Sequence, residues 1–446
     1  MTVINLLVVV VFLILYAVYQ LAPRSFAGVT TVRNAAPARR IESEEVDEVV
    51  VAVPDVLPSL ERERREVGIL ALVSIGAGIL YYLPFILRLP SFGGIPFQGG
   101  SMDRVYGMWD GPLWITASAT LWDPNPHNPL YGWIGQAPST YAERFPLFPL
   151  LVHALSPVLG YWKGGLFVNI LTSTGVTLLL YVFVRRFGQR ALNSEPIWST
   201  AFWVALVSIF WPPRGFLYRY VLMSEPLFIL GILGAAYFYK ARRYTLCGLL
   251  GMVAVAARPN GFLVVAVFGL LAVVRIAAAP RAQHIVTAFR MVGLALMPLT
   301  LVAIFAWHQR LFGDPLASIH SSAFVQPQAT LYPSLAFFGI GEEGVPYLFV
   351  LVLAGIIELV RRRHADLALL CTAFYIPSIL VSVDVARYLL PVMPFAFGLA
   401  GERILASKAV RIALLLSVPL IYTYAWETML NPGYQAPFGP LRALLP

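Results

Sequence analysis

Four short segments set an acid beside an aromatic ring or a base: Asp103-Arg104, Trp109-Asp110-Gly111, Trp122-Asp123-Pro124 and Glu143-Arg144. Sugars stack their C–H faces on aromatic rings, and a nearby carboxylate can accept a hydroxyl proton. These segments fit carbohydrate chemistry, with Asp110, Asp103 and Asp123 as candidate bases. Each Asp also has a plainer reading as a helix cap or turn residue. Further along, Arg258 and Arg387 stand at the edges of apolar runs, with Asn260 and Tyr388 close by in sequence. Guanidinium forks suit phosphate oxygens, and the pairing is stronger in a partly dry site than in water. The plainer reading pairs Arg258 with Glu225 and Arg387 with Asp384 to tie helices together, and intramembrane charges often do both. Ser224-Glu225-Pro226 has the pattern of an N-cap and first-turn proline, and Asp314-Pro315 that of a turn.

The six His show no zinc pattern. The two Trp-Asp carboxylates, Asp110 and Asp123, could bind a divalent ion, but no adjacent Asp-x-Asp pair occurs, so metal independence is the expectation. Cys247 and Cys371, the only two cysteines, each sit inside an apolar window, which argues against a disulfide framework or a thiolate site.

These residues must be positioned by elements that live in lipid. Of the 446 residues 59% are hydrophobic and 12% charged, with a mean hydropathy of +0.74, far from a soluble globular composition. Apolar windows of about 20 residues, the length needed to cross a bilayer core of about 30 Å, recur between short charged clusters. The runs do not alternate with period two, which disfavours a closed β-barrel. The expected fold is all-α: a polytopic bundle of about 11 to 12 spans. They are placed near 3–20, 67–89, 163–184, 197–212, 225–239, 244–257, 260–277, 286–307, 346–360, 366–382, 388–402 and 411–427.

The net charge of +9 is topological and does not indicate nucleic acid. With alternating crossings, most of the 32 Lys and Arg fall on one side, in clusters such as Lys240/Arg242/Arg243 and Arg361 to Arg363. That side is the cytoplasm by the positive-inside rule. Residues 1–66 divide into an N-out anchor helix and a charged cytoplasmic linker, and 67–446 form the main membrane domain. The opposite face receives Arg144, Arg219, Arg258 and Arg387 against the orientation bias, together with Asp103, Asp110, Asp123, Glu143, Glu225 and Asp314. Balanced charge on the disfavoured side, next to apolar runs, is where an interfacial site is expected. Two long outer loops serve it, about 90–162 and 308–345. The first is rich in Trp, Tyr, Pro and Gly, with interfacial helices expected over Tyr106–Leu121 and Pro146–Leu159.

In the first loop, Trp109-Asp110-Gly111 followed by Phe145-Pro146-Leu147-Phe148-Pro149 resembles the PIG-V-like mannosyltransferases, the GPI mannosyltransferase II family and its prokaryotic relatives in the GT-C superfamily. Ser224-Glu225-Pro226-Leu227-Phe228 resembles the family's Ser-Glu-x-x-Phe segment, and Arg258-Pro259-Asn260-Gly261 its Arg-x-Asn-Gly turn. Phe312-Gly313-Asp314-Pro315-Leu316 and Arg387-Tyr388-Leu389-Leu390-Pro391 follow in the same order, so the resemblance covers about residues 80–400. The chain departs from the family at Trp114-Ile115, where a Tyr usually follows the Trp-Asp motif, and across Trp122–Thr140.

The resemblance implies a GT-C-like fold and an inverting transfer of a sugar from a polyprenyl- or dolichyl-phosphate carrier, typically mannose. The acceptor would be a glycolipid or glycan hydroxyl on the extracytoplasmic (lumenal or periplasmic) face, with no cofactor. It gives the base role to Asp110, with Asp103 and Asp123 behind it. The substrate-binding set is Trp109, Arg144, Arg219, Glu225, Arg258, Asn260, Asp314, Arg387 and Tyr388, of which Arg258 and Arg387 would hold the lipid phosphate. Membrane lipid and a membrane protein are the other expected partners. The alternatives are a transporter or flippase of a lipid-linked substrate and a non-catalytic partner subunit of the same fold.

Overall fold

The structure, a computed structural model, describes residues 56–135, 137–189, 198–321, 345–380 and 385–445. The proposed N-terminal anchor, nearly all of the linker, most of the second outer loop and Asp384 lie outside the described residues.

The principal helices are α1 (Val56–Ile86), α2 (Gly111–Thr120), α3 (Leu147–Phe187), α4 (Thr200–Phe210), α5 (Pro213–Arg219), α6 (Glu225–Lys240), α7 (Tyr244–Ala257), α8 (Gly261–Ala277), α9 (Leu296–Phe312), α10 (Val345–Arg361), α11 (Ala365–Leu380), α12 (Val385–Leu389), α13 (Lys408–Leu416) and α14 (Val418–Leu430). Among the described residues four stretches are long and apolar enough to cross a membrane: Glu61–Ile86, Leu147–Phe187, Val292–Phe312 and Lys408–Leu430. The other apolar helices are shorter, 10–17 residues. The chain is thus a helical bundle whose apolar helices suit a membrane.

Helix α3 sits at the centre and packs on α1, α2, α4 and α6, while α6 and α7 form a tight pair. Glycine permits that closeness: a Cβ on Gly231 would stand 2.6 Å from the backbone nitrogen of Ala254 on the facing helix. The fully buried Glu66 accepts hydrogen bonds from the Ser199 amide (2.7 Å), the Ser199 hydroxyl (2.8 Å) and the Tyr181 hydroxyl (2.7 Å). It fixes α1 against α3 and α4.

Several expected boundaries move. The interfacial helix expected over Tyr106–Leu121 is confined to α2, because Trp109 takes a left-handed φ of 47° that no helix accommodates. The expected helix 146–159 and span 163–184 are one long element interrupted at Gly160, whose φ of 71° only glycine adopts readily. The expected span 388–402 is broken into short turns, because Pro391 and Pro394 cannot donate to a helical ladder. A two-residue hairpin, β1 (Ser91–Phe92) with β2 (Ile95–Pro96), is the one departure from all-α among the described residues.

Candidate functional site

Four separate segments bring their charges to one place. The first outer loop supplies Asp110, Glu143 and Arg144; α6 begins with Glu225; α7 ends at Arg258; α12 carries Arg387. The six side chains form an alternating chain in the order Glu143, Arg144, Asp110, Arg387, Glu225, Arg258. Arg144 Nη1 donates to Glu143 Oε2 at 3.0 Å, and its Nη2 lies 3.5 Å from Asp110 Oδ1. Arg387 Nη1 donates to Asp110 Oδ2 at 3.1 Å. Arg387 Nε and Arg258 Nη1 both reach Glu225 Oε1. Three carboxylates against three guanidiniums keep the cluster close to neutral where charge is costly.

Local sequence explains each placement. At Arg258 the backbone becomes extended, and the Gly261 amide closes the turn on the Arg258 carbonyl at 2.9 Å. A Cβ at Gly261 would lie 2.5 Å from Val255 Cα, so the Arg-Pro-Asn-Gly turn needs its glycine. Asp110 and Ser224 both occupy N-cap positions, yet neither makes a capping hydrogen bond through its side chain. The cap reading of Asp110 therefore fails, and its carboxylate is turned to the arginines.

Burial grades along the chain. Glu225 is 1% exposed and Arg144 7%, whereas the Asp110 side chain keeps 33% of its surface accessible and that of Glu143 25%. The cluster is closed at Glu225 and open toward Asp110 and Glu143. Burial acts to raise the Asp110 pKa, but Arg144 and Arg387, with Arg258 behind them, outweigh it and hold the carboxyl below its ordinary value. For Glu143 the balance reverses. Burial, helped by the negative charge of Asp110, prevails over Arg144 and Arg387 and brings it up to about 6.

An aromatic face lies alongside. Trp109 stacks on Tyr218 with ring centroids 4.9 Å apart and 29° between planes, and the Arg214 guanidinium sits 4.5 Å from the Trp109 ring. The left-handed Trp109 backbone is held by its amide donating to the Tyr434 carbonyl at 2.9 Å, and the Ala436 amide donates to Gly107 at 2.8 Å. Behind Glu225 lies a small, mostly apolar cavity, with Tyr218, Arg219, Ile229, Leu390 and Phe397 among its walls. Arg219 is not in the alternating chain. Its guanidinium donates to Ser173 O (3.0 Å), Thr177 Oγ1 (3.1 Å) and Ser208 O (3.0 Å), all neutral acceptors.

The remaining expected residues stand elsewhere or aside. Asp103 is more than half exposed and binds Ser101 and Arg442. Asp123 is a turn residue, accepting from the Asn125 amide (3.1 Å) and Asn128 Nδ2 (3.0 Å). Asp314 closes another turn through the Leu316 amide (2.9 Å) and His320 (2.7 Å). Asn260 lies in the turn after Arg258, and Tyr388 is half-buried beside Arg387. The plainer partner foreseen for Arg387, Asp384, lies outside the described residues. Glu143 entered the sequence reading as a carboxylate beside Arg144 but not as a base, and nothing in the sequence marked Arg214 or Tyr218. Among the described residues no three His, Cys, Asp or Glu side chains converge as metal ligands.

Compared with known proteins, the chain matches no protein-family model and no curated protein.

Proposed function

We infer that the chain is a GT-C-like membrane glycosyltransferase. It moves a sugar, mannose by the resemblance of its motifs, from a polyprenyl-phosphate carrier to a hydroxyl acceptor on the extracytoplasmic face. The observation that carries this reading is the alternating chain itself. The reaction needs a carboxylate to take the acceptor proton and cations to receive the departing lipid phosphate. Asp110 and Glu143 stand at the open end beside the Trp109–Tyr218 pair, and Arg387 and Arg258 stand on the buried Glu225.

A further feature supports it. The five motifs of the family resemblance lie far apart in sequence, yet Asp110, Glu225, Arg258 and Arg387, one from each of four of them, meet in one cluster.

The test is transfer of label from radiolabelled polyprenyl-phosphate mannose into membrane lipids or proteins, comparing wild type with Asp110→Asn at equal expression. The reading expects transfer by the wild type and its loss in the variant. Failure of the wild type to transfer from any polyprenyl-phosphate sugar would leave the transporter or partner-subunit reading in its place.

A further inference from the structure

The family resemblance assigns the base to Asp110, but the oxygens of the cluster are not equally available. Oδ1 of Asp110 faces Arg144 at 3.5 Å and Oδ2 accepts from Arg387 at 3.1 Å, so both of its oxygens are committed to cations. A carboxylate held between two guanidiniums is a weak base. Glu143 differs. Its Oε2 accepts from Arg144 at 3.0 Å, while its Oε1 meets no hydrogen-bond donor among the described residues; both side chains stay partly accessible, a third of Asp110 and a quarter of Glu143, so the free oxygen and not the exposure separates them. Its backbone is fixed from below: the turn Pro138–Glu143 is anchored by Trp122 Nε1 donating to the Tyr141 carbonyl at 2.9 Å.

We propose that Glu143 takes the proton of the acceptor hydroxyl, while Asp110 orients Arg144 and Arg387. This division of labour rests on the glycosyltransferase reading above. In the transfer, the acceptor oxygen forms a bond to the anomeric carbon as the bond from that carbon to the phosphate oxygen breaks. The bonding pair leaves with the phosphate, and the hydroxyl proton passes to Oε1 of Glu143. The lipid phosphodiester becomes a monoester carrying one more negative charge. Protonation of Glu143 simultaneously removes one negative charge from the cluster, so Arg144 is no longer neutralised by it. The cluster gains positive charge in the step in which the leaving group gains negative charge, a form of electrostatic stabilisation confined to the reacting state.

The charged groups facing Glu143 are Arg144 from its own loop, Asp110 at the start of α2 and Arg387 from α12. Their balance leaves it titrating at about 6, close to the pH at which it must work. Asp110, held below its ordinary value, stays ionised over that range, and the phosphodiester donor has no proton to lose near neutrality. The acid limb of the rate profile thus separates the two carboxylates.

Label transfer from polyprenyl-phosphate mannose is measured against pH for wild type, Glu143→Gln and Glu143→Asp, with photo-crosslinking of a benzophenone-bearing polyprenyl-phosphate mannose as a measure of donor binding. The wild type is expected to lose activity about tenfold per pH unit below about 6. Glu143→Gln is expected to lose about 10²–10⁴-fold and with it the acid limb, while crosslinking persists. Glu143→Asp restores a carboxylate and is expected to recover part of the rate with an acid limb. Wild-type-like rates and an unchanged limb in Glu143→Gln would return the base role to Asp110, as would a wild-type rate that stays flat down to pH 4.5. Wild-type protein that crosslinks no donor and transfers no label would overturn the glycosyltransferase reading itself, and this assignment with it.

Discussion

Arg387 and Asp110 lie 277 positions apart in sequence and are joined by a 3.1 Å hydrogen bond. Through Arg387 the same contact reaches Glu225, so a loop, the start of α6 and the short helix α12 are held by one guanidinium. Such a residue serves stability and chemistry together, and substitutions can separate the two.

Glu225→Gln is expected to destabilise the protein by about 3–5 kcal/mol, the usual cost of leaving buried partners without their counter-charge. Arg258 and Arg387 both depend on that carboxylate. Unfolding in detergent by heat or denaturant measures the loss. The double variant Glu225→Leu with Arg258→Leu is expected to recover part of it, because two apolar side chains then replace a buried pair.

Glu143 carries the opposite sign. A carboxyl raised from 4.5 to about 6 in the folded protein is more easily ionised when unfolded. Its ionisation therefore imposes no stability penalty below pH 4.5, a growing one between 4.5 and 6, and a constant one above. At about 1.36 kcal/mol per unit the penalty approaches about 2 kcal/mol, reduced by solvent screening of its exposed quarter. Glu143→Gln is expected to raise the midpoint of thermal unfolding at pH 8 and to leave it unchanged at pH 4. A lowered midpoint at pH 8 would mean that the pair with Arg144 outweighs the penalty.

Removal of the ring in Trp109→Ala deletes the stack on Tyr218 and the contact with the Arg214 guanidinium. A weakening of substrate saturation by roughly 10-fold is expected, from about 1–2 kcal/mol of lost contact. Trp109→Phe keeps a face and should lose less. Saturation curves for donor and acceptor, taken separately, identify which substrate the ring meets.

Orientation is testable because both native cysteines are buried and leave a quiet background. His127→Cys places a thiol on the exposed tip of the first loop, and Arg361→Cys places one on the opposite, basic side. A membrane-impermeant maleimide applied from the extracytoplasmic face is expected to label the first and not the second. The reverse pattern would invert the topology and put the cluster in the cytoplasm.

Composition made the helical membrane bundle legible, because lipid leaves few ways to satisfy a backbone. Helix limits were less visible wherever a single residue overrides a long apolar pattern, as Gly160, Pro391 and Trp109 do. The cluster was legible one member at a time. Arg258 and Glu225 were each marked by lying against an apolar run, and their pairing was foreseen as the plainer reading. Their union with Asp110 was not, since a contact between residues 110 and 387 has no local signature. Asp123 and Asp314 show the converse: beside aromatic and proline neighbours they looked like site residues, yet their carboxylates are spent on turns.

Synthesis order gives the Trp109 clamp a further meaning. The amide of Trp109 waits for the carbonyl of Tyr434, and Met108 pairs with Gln435, 327 positions downstream. Until that segment has left the ribosome the Trp-Asp loop lacks the strand partner that holds its left-handed turn. A chain interrupted before residue 434 would therefore carry every member of the ion-pair cluster, the last being Arg387, without the contacts that hold the Trp109 turn beside it.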